Sequence, residues 1–191
     1  MSRKEEILDA ALSCFNRSGI EKTSIEMICE ESSASVGSLY HHFSNKQGVV
    51  AALFVAGIGD YHCQLQKRLK SNKTAEDGVR SVIYTYINWV SNNSEQAKFV
   101  LSSREEIFGD AAQRLVEEEN QKNFSFLQGW FRPYAEDGTI QDLSMELFLS
   151  LLLGPVQLYA QRWINGKAEK NITKHKDLFF RAAWASVSSE K

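Results

Sequence analysis

The chain is poor in the residues that interrupt helices. Two prolines, Pro133 and Pro155, and eleven glycines occur in 191 residues, too few for the dense turns of an all-β domain. Three cysteines, Cys14, Cys29 and Cys63, are odd in number and lack C-x-x-C spacing, so neither a disulfide framework nor a zinc site is expected. Cys14 and Cys29 fall among apolar helical positions and read as buried, reduced thiols. No run of eighteen apolar residues occurs, and no apolar stretch follows the opening Met1-Ser2-Arg3-Lys4-Glu5-Glu6; the expectation is a soluble, cytoplasmic protein with no membrane partner. Charge of one sign is not in excess either. The formal net charge is −2, and the first fifty residues hold five Lys/Arg against seven Asp/Glu, so a nucleic-acid surface must be local rather than a broad basic face. Adjacent pairs such as His41-His42 and His62-Cys63 point in different directions and lack a third ligand at metal spacing, so no metal or cofactor is expected. Gly-rich phosphate cradles and nucleophile–base–orienter sets are absent as well, which makes a helical enzyme a remote reading.

What is present is helical periodicity over 43% hydrophobic residues. The apolar spacing predicts an all-α fold of about nine helices near Arg3–Ser18, Ser24–Glu31, Ser35–His42, Lys46–Lys70, Thr74–Ser91, Ser94–Ile107, Asp110–Phe131, Leu143–Ile164 and Lys174–Val187. Polar or Gly-bearing punctuators separate them, among them Ser71-Asn72-Lys73, Phe108-Gly109 and Glu136-Asp137-Gly138-Thr139. Gly154-Pro155 should kink or break the eighth helix. A division into residues 1–60 and 61–191 is favoured, with the fourth helix as a rigid link between them.

The segment from Val36 to Lys46 carries the most information. Leu39 and Phe43 lie four apart and share one helix face, leaving Ser38, Tyr40, His41 and His42 to point elsewhere. Upstream, Thr23 and Ser24 offer cap oxygens for a helix whose apolar stripe, Ile25 and Ile28, stops at Glu30-Glu31-Ser32-Ser33. The pattern reads as helix, tight turn, helix. From Arg3 to Phe54 the order Ile7-Leu8, Ala10-Ala11, Phe15, Gly19, then Gly37, Ser38, Leu39, Tyr40, His42, Phe43 and Lys46 resembles the N-terminal domain of the TetR family of transcriptional regulators. The chain departs from that pattern in the turn, where Ser33 and Ala34 stand in place of the usual Gly and Val.

The resemblance implies an N-terminal three-helix DNA-binding domain with a helix-turn-helix, followed by a helical effector-binding and dimerisation domain. Recognition helices present their N-terminal residues to base edges, which puts Ser35, Val36, Gly37 and Ser38 over the groove. Val36 suits a thymine methyl, Gly37 a close backbone approach, and Ser38 a base or a phosphate. Tyr40, His42 and Lys46 are then phosphate contacts, His41 faces the groove, and Thr23 and Ser24 flank the site. Bidentate base readers (Arg, Asn, Gln) are missing from this helix, so part of any sequence preference is indirect.

The second part is rich in aromatics, most of which must pack a core. The family resemblance adds an effector cavity, for which Tyr61, Trp89, Arg104, Phe108, Trp130 and Gln157 are the candidate lining. The apolar bands of the last two helices, including Leu147, Leu151, Tyr159, Phe179, Ala182 and Ala183, are too wide for one subunit and predict a two-fold four-helix interface. The expected partners are a double-stranded DNA operator, a second copy of the chain and a small-molecule effector. A helix-turn-helix protein without an effector, or an activator, is the alternative.

Overall fold

The computed structural model describes residues 2–102 and 110–189. Among them the elements are α1 (Arg3–Ser18), α2 (Ile25–Ser32), α3 (Val36–Phe43), α4 (Lys46–Leu69), α5 (Ala75–Asn92), α6 (Ser94–Ser102), α7 (Asp110–Glu136), α8 (Met145–Ile164) and α9 (Lys176–Val187), with a 3-10 turn, Ile172–His175, leading into the last. The fold is all-α. Its one β feature among these residues is an isolated bridge between Ile140 and Ser188, which ties the loop after α7 to the end of α9.

Side-chain caps fix the helix starts. Ser2 and Glu5 form a reciprocal capping box on α1, and the hydroxyls of Ser24, Ser35, Thr74 and Ser144 accept backbone N–H bonds at the starts of α2, α3, α5 and α8. Each satisfies a donor that the helix itself cannot, worth about 1 kcal/mol.

The chain forms two compact units. The first combines residues 1–59 with 95–119, and its core holds Ile7, Ala11, Cys14, Phe15, Ile28, Leu39, Phe43, Val50, Leu53 and Phe99. Phe99 of α6 stacks on Phe15 of α1 with ring centroids 5.7 Å apart. Gln96 donates to the Leu53 carbonyl at 2.7 Å, and Asn16 donates to the Glu95 carbonyl at 2.9 Å. These contacts fasten α6 to the N-terminal helices, although its residues lie well beyond position 60. The second unit combines residues 60–94 with 120–191. Here α5, α8 and α9 pack together around Phe148, Leu152, Val156, Ala160, Phe180, Ala183 and Val187, all buried. Arg80 lies over the Phe180 ring at 3.9 Å, and Tyr84 hydrogen-bonds Asp177.

Two helices run through prolines, one of them at Gly154-Pro155, where a kink or break was expected. α8 is continuous through Pro155. The preceding residue, Gly154, has no Cβ to meet the proline ring, which removes the usual conflict at that position. α7 continues past Phe131 and through Pro133 to Glu136, and Arg132 pairs with Glu136 at 2.6 Å across its exposed last turn. By length and composition α4 is apolar enough to cross a membrane, yet half of its most apolar window is buried within the protein, as in the core helix of a globular fold.

Candidate nucleic-acid interface

α3 is anchored by its inner face. Leu39 is fully buried and Phe43 nearly so, an anchorage worth about 1.5–3 kcal/mol for each side chain. On the other face Ser35, Val36, Gly37, Tyr40, His41 and His42 are exposed, while Ser38 is half-buried. Val36 and Tyr40 are 43% and 48% exposed, unusual for side chains of their apolar area, and they flank the helix's first turn. The Ser35 hydroxyl accepts from the Ser38 backbone N–H at 3.1 Å, which leaves its proton available outward. A Cβ at Gly37 would meet nothing within 4 Å. Nothing in the protein's own packing therefore requires glycine there, and the open space admits a close external surface.

Three backbone devices hold α3 in place. Ser33, at φ 54° and ψ 26°, makes the left-handed turn between α2 and α3 where the resemblance anticipated glycine, and its N–H bonds back to the carbonyls of Cys29 and Glu30. Ser44 repeats the device after α3, at φ 63°. A Cβ at Gly48 would lie 1.9 Å from the Phe43 carbonyl oxygen, so α4 can approach the end of α3 only with glycine at that position. Asn45 completes the corner by accepting from the Gly48 N–H at 2.8 Å. Gly48 was not singled out from the sequence.

Two expected contact residues turn inward. Thr23 is 1% exposed, and its hydroxyl lies 3.3 Å from the Cys14 carbonyl and 2.8 Å from that of Gly19. It fastens the α1–α2 connection and does not reach a duplex. The cap of α2 is Ser24 alone, accepting from Met27 N–H at 3.3 Å. Lys46 also differs from the expectation of a free cation. Its ammonium donates to the carbonyls of Ile20, Glu21 and Thr23 at 3.0, 3.3 and 3.0 Å, so all three of its donors are engaged by one loop.

The other cations of this region are largely engaged as well. Arg3 pairs with Glu6 at 2.8 Å, Arg17 pairs with Glu31 at 3.0 Å, and the Lys4 ammonium lies 5.9 Å from the centre of the Phe43 ring. The Arg17 and Ser13 hydrogen bonds hold the Glu31 carboxyl below its usual range. The Arg17–Glu31 pair joins α1 to α2 and leaves the net charge of this segment as it was, and the exposed face of α3 carries hydroxyls, imidazoles and amide groups.

In the second unit, the candidate effector residues separate. Tyr61 and Trp89 come together, with ring centroids 6.2 Å apart. Trp130 is a packing residue: its Nε1 donates to the Leu69 carbonyl at 3.1 Å, and its ring covers Gly78, where a Cβ would approach to 2.2 Å. Gln157 is exposed on α8 and lines no buried space. Arg104 and Phe108, with the expected Phe108-Gly109 loop and the end of the sixth helix, lie outside the described residues. Of the interface candidates, Leu147, Leu151, Tyr159, Phe179 and Ala182 are exposed or half-buried, joined by Leu158 and Leu178. Ala183 is 4% exposed and packs inside its own subunit, because it follows Phe180 and precedes Val187 on the inner face of α9. Among the described residues no group of three or more His, Cys, Asp or Glu is placed to hold a metal ion.

Comparison with known proteins agrees with this geometry. Residues 7–53 match the family model of bacterial regulatory proteins, tetR family. The chain is 22% identical over 92 residues to the fatty acid metabolism regulator protein of Bacillus subtilis, a match that spans 47% of that relative's length and 48% of this chain. It is 27% identical over 172 residues to the HTH-type transcriptional regulator YfiR of the same organism, covering 81% of this chain and 78% of the relative. A TetR-family transcription regulator from a Shewanella strain superposes over the whole of both chains with a TM-score of 0.83 at 17% identity. The transcriptional regulator FadR of Bacillus subtilis, solved in complex with stearoyl-CoA, superposes with a TM-score of 0.79 at 16% identity, covering 94% of this chain and 96% of that one. An N-terminal helix-turn-helix whose outer face is exposed and whose inner face is locked thus lies within the segment that matches the tetR family model, and the chain as a whole shares its fold with solved TetR-family regulators.

Proposed function

We propose that the chain acts as a homodimeric repressor that occupies a palindromic operator and leaves it when a small apolar or aromatic molecule enters the second unit. The observation that carries the DNA-binding half is the polarity of α3: Leu39 and Phe43 lock it inward, while Val36, Gly37, Tyr40 and His41 face solvent with no structural duty. Functionally the division falls near residue 60, with the reading head before it and effector binding and dimerisation after it. Support for an effector comes from the aromatic cluster at Tyr61 and Trp89 and from FadR, which was solved with stearoyl-CoA. α4 gives the coupling a physical route, since Lys46 at its first turn clamps the α1–α2 connection and Tyr61 on the same helix belongs to the aromatic cluster. No catalytic role is proposed.

Selection of binding sites from a randomised duplex pool tests this reading. The expected product is an inverted repeat whose half-sites lie roughly 34–36 Å apart, one helical turn. Recovery of a single unrepeated site, or of no enriched sequence, overturns the dimeric operator.

A further inference from the structure

Five side-chain polar atoms in the second unit are buried and have no hydrogen-bond partner: the hydroxyls of Tyr61, Thr85 and Tyr86, the indole Nε1 of Trp89 and the amide oxygen of Asn123. Their residues are 7%, 0%, 5%, 3% and 8% exposed. A folded chain satisfies nearly all such groups, so five in one unit require an explanation. Three of them touch: the Tyr61 ring meets those of Tyr86 and Trp89 at 5.6 and 6.2 Å, and Tyr86 meets Trp89 at 6.5 Å. Thr85 precedes Tyr86 and shares the face of Trp89, one turn on.

Asn123 belongs to the same layer. α4 and α7 lie alongside each other, since a Cβ at Gly59 would lie 3.6 Å from a Glu119 carboxylate oxygen and the Leu69 carbonyl accepts from Trp130 at 3.1 Å. At a rise of about 1.5 Å per residue, this pairing puts Asn123, on the inner face of α7, level with His62 and Cys63, roughly 2–3 Å along the axis from Tyr61. The orphaned atoms of Tyr61, Tyr86 and Trp89 therefore gather where the aromatic rings of α4 and α5 pack together, with Thr85 in the same turn of α5 and Asn123 of α7 near the same height.

We propose that this layer is the recognition site for a neutral effector with a flat apolar body, carrying an oxygen acceptor for the Tyr61, Tyr86, Thr85 and Trp89 donors and a hydroxyl or N–H donor for Asn123. This rests on the effector reading above and replaces its purely apolar ligand with a polar one. The Trp89 Nε1 can only donate, the Asn123 oxygen can only accept and the three hydroxyls can do either, a set matched by a hydroxy-ketone or an amide-bearing ring and left unsatisfied by a hydrocarbon. The five groups are themselves neutral, so the ionisable side chain beside them is His62, whose ring centroid lies 5.6 Å from that of Tyr61, and a neutral ligand avoids the cost of burying a charge. Burial also pushes the Tyr61 and Tyr86 phenols far above their ordinary range, which keeps both as donors at any physiological pH. The rings close over one another in this state, and the ligand enters by parting them, selecting a less populated conformer.

The test uses the full-length protein and three fragments of similar size at mildly acidic pH: 4′-hydroxyacetophenone, neutral with both acceptor and donor; 4-ethyltoluene, apolar; and 4-hydroxybenzoate, anionic. Binding is followed by calorimetry and by the Trp89 indole N–H resonance, assigned with Trp89→Phe. The hydroxy-ketone is expected to bind at least about tenfold more tightly than either of the others, the loss that follows when a buried polar set goes unpaired, and to shift the Trp89 resonance. The Tyr61→Phe/Tyr86→Phe variant keeps both rings, so it folds; it should lose the preference for the hydroxy-ketone while still admitting 4-ethyltoluene. Equal affinities, rejection of all three fragments, or a preference unchanged in the double variant overturns the site. So does a water-filled layer, which would appear as a lowered melting temperature of the double variant without any fragment binding. Operator binding by the unmodified protein is measured alongside. Operator binding without the fragment preference sinks this site and leaves the repressor reading standing, whereas absence of operator binding sinks the repressor reading whatever the fragments do.

Discussion

Ser33 and Tyr40 show how differently two exposed polar residues of one motif act. Ser33 holds φ 54°, a left-handed conformation that costs an ordinary residue about 1–2 kcal/mol and a β-branched one more. Ser33→Val should therefore destabilise the protein by about 1–2 kcal/mol, seen as a lower midpoint in urea with an unchanged slope. An unchanged midpoint would mean that the turn relaxes and that α3 does not depend on it. Tyr40 is 48% exposed on the outer face of α3. Tyr40→Phe should leave the urea midpoint alone and weaken binding to every DNA sequence by the same factor, about five- to tenfold for one lost hydrogen bond, because phosphate contacts position without specifying. A loss confined to one sequence would move Tyr40 from the phosphate to a base.

At the scale of elements, the tie between α4 and the α1–α2 connection separates two roles for Lys46. A phosphate contact adds about 0.9 to the salt slope of the binding constant for each charge. A clamp adds nothing to that slope but stabilises the head by about 1.5–3 kcal/mol, the range for hydrogen bonds to a charged group. With three carbonyls within 3.3 Å of its Nζ, Lys46→Ala is expected to lower stability and DNA affinity while leaving the salt slope intact. Anisotropy titrations at several salt concentrations decide the matter, and a slope flatter by about one unit per site restores the phosphate role. This residue also marks the limit of sequence reading. The apolar periodicity located the α-helices of the described residues though not the 3-10 turn at Ile172–His175, and the i,i+4 pair Leu39 and Phe43 identified the inner face of α3, because local spacing determines which residues share a side. What spacing does not encode is the partner across the core. Thr23 and Lys46 have the residue types of DNA contacts, but the carbonyls of Cys14 and Gly19 turn Thr23 inward and the approach of the α1–α2 connection to α4 engages Lys46. Gly48 was unreadable for the same reason, since the Phe43 carbonyl that excludes a Cβ there comes from the preceding helix. Ala183, expected at the subunit interface, lies on the inner face of α9, and Gln157, expected at an effector, is exposed on α8.

The whole molecule carries a feature that no single subunit explains: Leu147, Leu158 and Leu178 are 48%, 63% and 57% exposed, on the two helices whose other faces close the second unit. Leu147, Leu151 and Leu158 recur at the spacing of one α8 stripe, and Leu178 and Ala182 continue it on α9. An exposed apolar stripe on two packed helices fits a two-fold partner presenting the same stripe. Because Leu158 and Leu178 face outward within the subunit, Leu158→Glu/Leu178→Glu should leave the subunit folded and split the dimer. Four leucines leave a two-fold interface at about 1.5–3 kcal/mol each, so even the lower figure removes about 6 kcal/mol and raises the dissociation constant by about four orders of magnitude. Ala183→Glu is the contrasting change, since that position is 4% exposed inside the subunit and a carboxylate there should unfold it. Sedimentation velocity with a circular dichroism melt separates the outcomes: a folded monomer for the leucine pair, unfolded protein for Ala183→Glu. The monomer should also bind a full operator no more tightly than a half-site. A leucine-pair variant that sediments as a dimer would remove α8 and α9 from the interface.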